Sequence, residues 1–300
     1  KNIGTIENSG VEFSVGALLI SKKEVTLNIS GNIAFNRNKI LDLGLTESQF
    51  GINNWEAYIG PNVSTGTYFK DPANIFVVGQ PIGMFYGYKT NGVFQSAAET
   101  VGVTQFGLPV LPGDLKIVDQ NGDKDINPDD RVLLGNPNPK FVYGFGTNLV
   151  IKNWTFDLFF NGSYGGQIAN GNLMRIGNAN GVLSGNILAA TYNNAWTATK
   201  GGDNPRVGYN NLSFIDRYVE DGSFLRMAVA SVGYSFYLKD NRFIKSINVT
   251  VSGKNLFTIT KYTGFDPEVN SFSFDKGRIG VDWGAYPNLR SFLAGINLSF

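Results

Sequence analysis

Two neighbouring segments, 141–151 and 154–164, alternate apolar with small or polar residues at a period of two. Phe141, Tyr143, Phe145, Leu149 and Ile151 fall on one face, and Val142, Gly144, Gly146, Asn148 and Val150 on the other. In the second segment Trp154, Phe156, Leu158, Phe160 and Tyr164 oppose Thr155, Asp157, Asn161 and Ser163, with Phe159 the exception on the polar side. Successive side chains of a strand point to opposite faces, so this pattern predicts two half-buried strands joined by the short link Lys152-Asn153. The same alternation recurs at Ile247, Val249 and Val251 against Asn248, Thr250, Ser252 and Lys254. It recurs again at the end of the chain, where Phe292, Ala294, Ile296, Leu298 and Phe300 share one face.

The predicted strands come in pairs. Segments 11–20 and 24–36 flank Ser21-Lys22-Lys23, and segments 224–238 and 247–257 flank a polar link at Asp240-Asn241-Arg242. A further pair, 75–78 and 84–94, surrounds 79–83, and 290–300 closes the chain, for about nine strands. Between the pairs run long connections, 37–74, 95–140, 165–223 and 258–289. Short and long links thus alternate, a pattern rare in compact soluble domains and normal for outer-membrane barrels with short periplasmic turns and long extracellular loops. Counting back from Phe300, a terminal aromatic on the lipid-facing side, puts Ser21–Lys23, Lys152-Asn153 and the link near Asp240 at the same, periplasmic end. Composition agrees with either of two folds, a barrel in lipid or a large β-sandwich. Charged residues are 16% against roughly 25% in ordinary soluble domains, aromatics are 13%, Gly is abundant at 37, and no apolar run is long enough for a transmembrane helix. The small, polar second face favours a wet lumen and hence an all-β, antiparallel transmembrane β-barrel. Nine strands are odd, whereas single-chain bacterial barrels have even numbers and an open edge in lipid is costly. The expectation is therefore that residues 1–300 are the carboxyl-terminal part of a larger barrel.

A net charge of +1 gives no electrostatic case for nucleic acid. The absence of His and Cys removes the commonest general base, the commonest metal ligand and thiol chemistry. No phosphate loop, nucleophile triad or zinc cluster is present, so no catalytic residue is assigned.

Four segments resemble the SusC/RagA-type TonB-dependent receptors of Bacteroidota, in that family's order. They are Gly79-Gln-Pro-Ile-Gly-Met-Phe-Tyr-Gly-Tyr88 with Gly92-Val-Phe94; Gly113-Asp-Leu-Lys116 running into 119–131 and Gly135-Asn-Pro-Asn-Pro-Lys-Phe141; Arg217-Tyr-Val-Glu-Asp-Gly-Ser-Phe-Leu-Arg226; and Asn255-Leu-Phe-Thr-Ile-Thr-Lys-Tyr-Thr-Gly-Phe-Asp-Pro-Glu-Val269. The resemblance implies a 22-stranded barrel with an amino-terminal plug that imports oligosaccharides or peptides. It also implies a SusD-like surface lipoprotein as lid, TonB–ExbB–ExbD as energy source and outer-membrane lipid as surroundings. The family's plug, TonB box and early strands have no counterpart in these residues. Readings from other classes are a passive porin, a secreted glycan-binding β-sandwich and a scaffold subunit of an outer-membrane complex.

The sharpest polar constellation is Asp119, Asn121, Asp123, Asp125, Asn127 and Asp130, at positions 1, 3, 5, 7, 9 and 12 of a twelve-residue loop. That spacing lets an EF-hand- or dockerin-type loop wrap a structural Ca²⁺. Lys124 stands where such loops carry Gly, and Asp130 where they often carry Glu. The alternative is a surface turn held by Asx hydrogen bonds. Asp129 and Asp130 are adjacent, which does not suit a pair of glycosidase carboxylates. Asp266 and Glu268 are expected to make loop hydrogen bonds. Trp154, Tyr164, Tyr234, Tyr237 and Phe300 are candidate interface aromatics. Trp55, Tyr58, Trp196, Tyr209, Trp283 and Tyr286 are expected to pack the loops or stack on sugar rings.

Overall fold

The computed structural model describes residues 4–44, 56–64, 70–178, 185–209, 212–238, 243–269 and 271–300. Seven strands form one continuous antiparallel sheet in sequence order: β1 Thr5–Lys22, β2 Val25–Asp42, β3 Phe141–Ile151, β4 Trp154–Tyr164, β5 Phe224–Tyr237, β6 Ser246–Thr260 and β7 Ser291–Ser299. No described helix is long and apolar enough to cross a membrane.

Register explains the two faces. Phe13 pairs with Ile33, Ile33 with Tyr143, Leu149 with Phe156, Phe156 with Val232, Val232 with Val251 and Val251 with Ala294. Side chains directly opposite share a face, so one unbroken apolar surface crosses all seven strands. The other face carries Ser14, Asn32, Asn148, Asp157, Ser231, Ser252 and their neighbours, again partner by partner. On this polar face Asn148 Nδ2 donates to Asp157 Oδ1 at 2.6 Å, and Asn248 Nδ2 to Ser235 Oγ at 3.0 Å. Phe159 is the exception in the structure too. Its ring lies over Gly144 and Gly146, where a Cβ would come within 3.4 Å and 3.3 Å of it.

The apolar face is exposed where a water-soluble sheet would be covered: Phe13 is 60%, Phe292 73% and Ile296 69% accessible. Aromatic clusters bound it at both ends. At one end Phe141 lies 5.5 Å from Phe35 and 5.1 Å from Tyr164. At the other Trp154 packs edge-on against Tyr234 at 4.7 Å, and Tyr234 lies 4.6 Å from Phe236. Trp154, Tyr164 and Tyr234 thus stand in the clusters that bound the apolar face, and Phe300, 73% accessible, follows β7 on the same alternation. Tyr237 falls on the opposite alternation, paired with Ser246.

β3 and β4 are 11 residues each, about the length that spans a bilayer as a tilted strand. β1 and β2 are 18 residues each, and their excess projects past the apolar band. The short links all lie at one end of the sheet: Val25 pairs with both Lys22 and Ile151, Trp154 with Tyr234, and Ser246 with Ser299. This matches the parity expected from the sequence. The β1–β2 turn is Lys23-Glu24, and residues 239–242, including Asp240-Asn241-Arg242, lie outside the described residues.

The expected pair 75–78 and 84–94 is not in this sheet, so the wall holds seven of the nine anticipated strands. Asn74–Val77 and Met84–Tyr88 instead join Ala57–Ile59 and Arg131–Gly135 in a four-stranded sheet. The 84–94 segment breaks at Lys89, and Thr90–Val93 pairs with Leu115–Ile117. The physical difference is burial on both faces: Ile75, Phe85, Tyr86 and Tyr88 are at most 1% accessible. These residues belong to a folded cap built from the long connections, with a core of Phe85, Tyr88, Leu115, Ile117, Met174, Phe214 and Val281.

The projecting part of the β1–β2 hairpin ties into this cap. Ile40 is 1% accessible, its N–H donates to the Gln80 carbonyl at 3.0 Å, and its carbonyl accepts from Gly79 at 2.8 Å. Asn38 accepts from the Ile82 N–H at 2.7 Å and donates to Asn138 Oδ1 at 2.9 Å.

Candidate functional site

The cap meets the polar face of the wall at an arginine. Arg226 alternates with Leu225 and Met227 on β5, which places it on the polar face between Asn161 and Thr258. Its guanidinium is spread over three partners. Nε donates to Thr258 Oγ1 at 3.0 Å, Nη2 to Asp266 Oδ1 at 2.6 Å, and Nη1 to Glu268 Oε2. Arg226 is 3% and Asp266 6% accessible. Both acids bond to the cap in turn: Asp266 Oδ1 accepts from the Glu268 N–H at 2.9 Å and Oδ2 from the Asn288 N–H at 2.9 Å, while Glu268 Oε2 accepts from Asn288 Nδ2 at 3.1 Å. Asp266 and Glu268 therefore make the loop hydrogen bonds expected of them. The salt bridge to Arg226, which joins the third and fourth family segments, was not anticipated. A lone Arg on the polar side of an amphipathic strand was the available signal, since such a group seldom lies inside a barrel unpaired.

Burial raises the cost of charge on Asp266, but the two backbone N–H groups and the Arg226 guanidinium outweigh it and hold the carboxyl below its usual pKa. A carboxyl depressed in the folded state contributes stability that is present above its unfolded pKa, about 3.9, and is lost as pH falls through the lower folded value. Wild type is therefore expected to lose the stability of this latch, the Arg226–Asp266–Glu268 contact between wall and cap, below about pH 4, and Asp266→Asn to be less stable at pH 7 with a flatter acid limb. Melting temperature against pH checks this.

A second set of bonds holds the same region. Glu220 accepts from Asn170 Nδ2 at 2.8 Å and from the Thr263 N–H at 2.7 Å. The Tyr262 hydroxyl donates to the buried Asp282 at 2.6 Å. Burial, with this bond to a carboxylate, pushes the Tyr262 phenol up. Beside these residues lies a cavity of about 440 Å³, lined by Asn170, Asn172, Leu173, Arg175, Thr263 and Phe265 among others. The Asn172 amide nitrogen is buried with no hydrogen-bond partner among the described residues, while Phe265 is 72% accessible. Amides, one guanidinium, aliphatic walls and an exposed ring suit reversible capture of a polar solute rather than bond-making.

The loop 119–130 folds on its own hydrogen bonds. Asp119 accepts from the N–H groups of Gly122 and Lys124 at 2.6 and 2.9 Å, which hold its pKa low with Lys124 the larger cause and burial opposing. Asn121 accepts from the Asp123 N–H, and Asp123 from the Asp125 N–H. Asp125 accepts from Thr104 Oγ1, and Asn127 from the Asp129 N–H. Asp130, 0% accessible, accepts from Gln120 at 2.7 Å and Asn127 at 2.9 Å. Lys124 takes the left-handed conformation, φ 69°, in which Gly was the expected residue. Among the described residues no three acidic side chains gather into a metal-holding group. Asp130→Ala orphans two N–H groups and is expected to destabilise the cap by about 1–3 kcal/mol, read by thermal melting.

Of the loop aromatics, Trp196, Tyr209 and Trp283 pack against the cap core. Trp196 donates to Gln95 Oε1 at 3.0 Å and Tyr209 to Gln105 Oε1 at 3.0 Å. Tyr58 and Tyr286 are 51% and 81% accessible. Trp55 lies outside the described residues.

No family model matches the chain. Its full length aligns at 33% identity with TonB-dependent receptor P3 of Formosa agariphila and at 28% with TonB-dependent receptor SusC of Bacteroides thetaiotaomicron, covering 29% and 27% of those proteins. The fold superposes over its full length on 30% of a chain of the RagAB peptide importer in its closed-closed state, with a TM-score of 0.77 and 25% identity. The chain thus spans less than a third of the length of these relatives. Whole-length similarity, a two-faced antiparallel wall and the four ordered segments agree: the chain belongs with the SusC/RagA-type TonB-dependent receptors and forms part of such a receptor's barrel.

Proposed function

We propose that these residues supply wall and extracellular cap to an outer-membrane importer that takes up oligosaccharides or peptides under TonB–ExbB–ExbD, with a SusD-like lipoprotein as lid. The observation that carries the reading is the pairing of an exposed, belt-bounded apolar face with a polar face onto which the cap is salt-bridged. The RagAB neighbour is described as a peptide importer, which supports the peptide branch. On this reading the cavity at Asn172 and Phe265 contacts solute, and a solute oxygen accepts from the unpartnered Asn172 amide. The short links are periplasmic and the cap extracellular. Residues 1–300 act as the carboxyl-terminal part of a chain whose plug couples to TonB.

The test is uptake by cells that depend on the intact receptor, supplied with defined oligosaccharides or peptides. Uptake should stop when TonB is deleted or the proton gradient is collapsed. Uptake that continues unchanged would favour a passive porin, and recovery without detergent would favour a secreted sandwich.

A structural Ca²⁺ in the 119–130 loop belongs to this proposal. Its support is the ligand spacing and the winding of the loop about Asp119; Asp130 would have to exchange its backbone partners for the ion. Calcium is expected to raise the melting temperature of the intact receptor relative to chelator, and Asp119→Asn with Asp123→Asn to remove that rise. An unchanged melting temperature in wild type removes the ion.

A further inference from the structure

Where the β1–β2 hairpin rises past the apolar band, it leaves a groove between itself and the start of β3. The groove has a volume of about 960 Å³, with Val11, Phe13, Phe35 and Phe141 on its apolar side. All four belong to the apolar face of the wall, and Val11 and Phe13 are more than half exposed. The groove is lined by both strands of the hairpin, by the start of β3 and by the segment that leads into it.

Two cations line the upper part of this groove, Arg37 and Lys140, and no carboxylate does. Phe35 pairs with Val11 and Arg37 with Ser9 without an intervening bulge, so Arg37 stands on the apolar face, one alternation beyond the aromatic belt. Lys140 immediately precedes Phe141, the centre of that belt, and its N–H is held by the Tyr164 carbonyl at 2.8 Å. Both side chains are exposed, and among the described residues neither forms an ion pair. Asn36, Asn38, Asn136 and Asn138 complete the polar rim.

A groove with an aromatic and aliphatic floor, opening sideways onto the apolar band and capped by two unpaired cations at headgroup height, is complementary to one kind of molecule. We propose that it binds a phosphate-bearing lipid of the outer leaflet, with acyl chains along Val11, Phe13, Phe35 and Phe141 and the phosphate between Arg37 and Lys140. Arg supplies a planar fork of N–H donors suited to phosphate oxygens, and Lys a point charge. Acyl chains in the groove would also cover the apolar flank of the hairpin that tethers the cap through Asn38 and Ile40. The inference rests on the outer-membrane reading of the wall.

The test uses the intact receptor purified in detergent, with lipid A and the same lipid A stripped of phosphate as probes, and native mass spectrometry as readout. Wild type should retain the phosphorylated lipid on the order of tenfold better than the stripped one. Arg37→Gln/Lys140→Gln should bring that ratio close to one, and Arg37→Lys should keep most of it. Both positions are exposed, so melting temperature in detergent is expected to stay unchanged. Equal retention of the two lipids by wild type, an unaltered ratio in the double variant, or displacement of the lipid by excess inorganic phosphate overturns the proposal while leaving the membrane reading intact. Recovery of the wild-type receptor from the soluble fraction overturns the membrane reading, and this proposal with it.

Discussion

Arg226→Met should destabilise the cap by about 3–5 kcal/mol, the usual cost of removing one partner from a buried ion pair. The loss exceeds that of a surface salt bridge because Asp266 cannot return to water, whereas Glu268 and Thr258 already reach it. Asp266 is 6% accessible, and without Arg226 it remains a buried carboxylate with only backbone N–H groups to offset it. Arg226→Lys is not a conservative rescue, since one ammonium cannot reach Thr258, Asp266 and Glu268 in the planar fork that the guanidinium uses. Arg226→Met/Asp266→Leu should recover part of the loss, because the unpaired charge goes with its partner. Melting of the intact receptor, together with protease cleavage within 261–290, reads the effect. Cleavage should appear in Arg226→Met and be weaker in the double variant. Equal resistance in wild type and Arg226→Met would show that the latch does not hold the cap.

The second large effect separates the two faces of one strand. Leu158 sits mid-strand on the apolar face, paired with Thr147 and Ala230, and Asp157 beside it faces Asn148 and Ser231. Leu158→Arg should cost about 2–4 kcal/mol, as for a cation near the midplane of a barrel's lipid face. Asp157→Asn should cost less than about 1 kcal/mol, because the hydrogen bond with Asn148 can be remade with the amide turned. Reversible unfolding of the receptor in bilayers by denaturant gives both values. Similar losses at the two positions would mean that the apolar face does not meet lipid.

How far the sequence could be read depended on whether a strand has two different environments. β3 and β4 match the predicted segments residue for residue, because lipid on one side and a polar interior on the other write a period of two into the side chains. The upper reach of β2 was missed beyond residue 36: there Arg37, Asn38 and Lys39 leave the apolar band, so the alternation fades while the strand continues to Asp42. The cap strands failed in the opposite way. Asn74–Val77 and Met84–Tyr88 are covered on both faces, and a short, fully buried apolar run reads the same in a wall or in a cap core.

The polar sites show the same division. The oxygen spacing of 119–130 was visible because the loop folds on contacts between near neighbours in sequence. The latch was invisible as a contact because Arg226 and Asp266 are 40 residues apart and meet only through the register of β5 with β6 and the return of the 261–290 connection.

The most direct test of the central claim, that one face of this wall meets lipid and the other an aqueous interior, is a spin-label scan of residues 155–163 in the intact receptor reconstituted in bilayers. Collisional broadening by oxygen, which concentrates in the hydrocarbon, should peak at 156, 158 and 160. Broadening by a water-soluble nickel chelate should peak at 155, 157 and 161. Flat profiles, or chelate access equal at 158 and 157, would contradict the account.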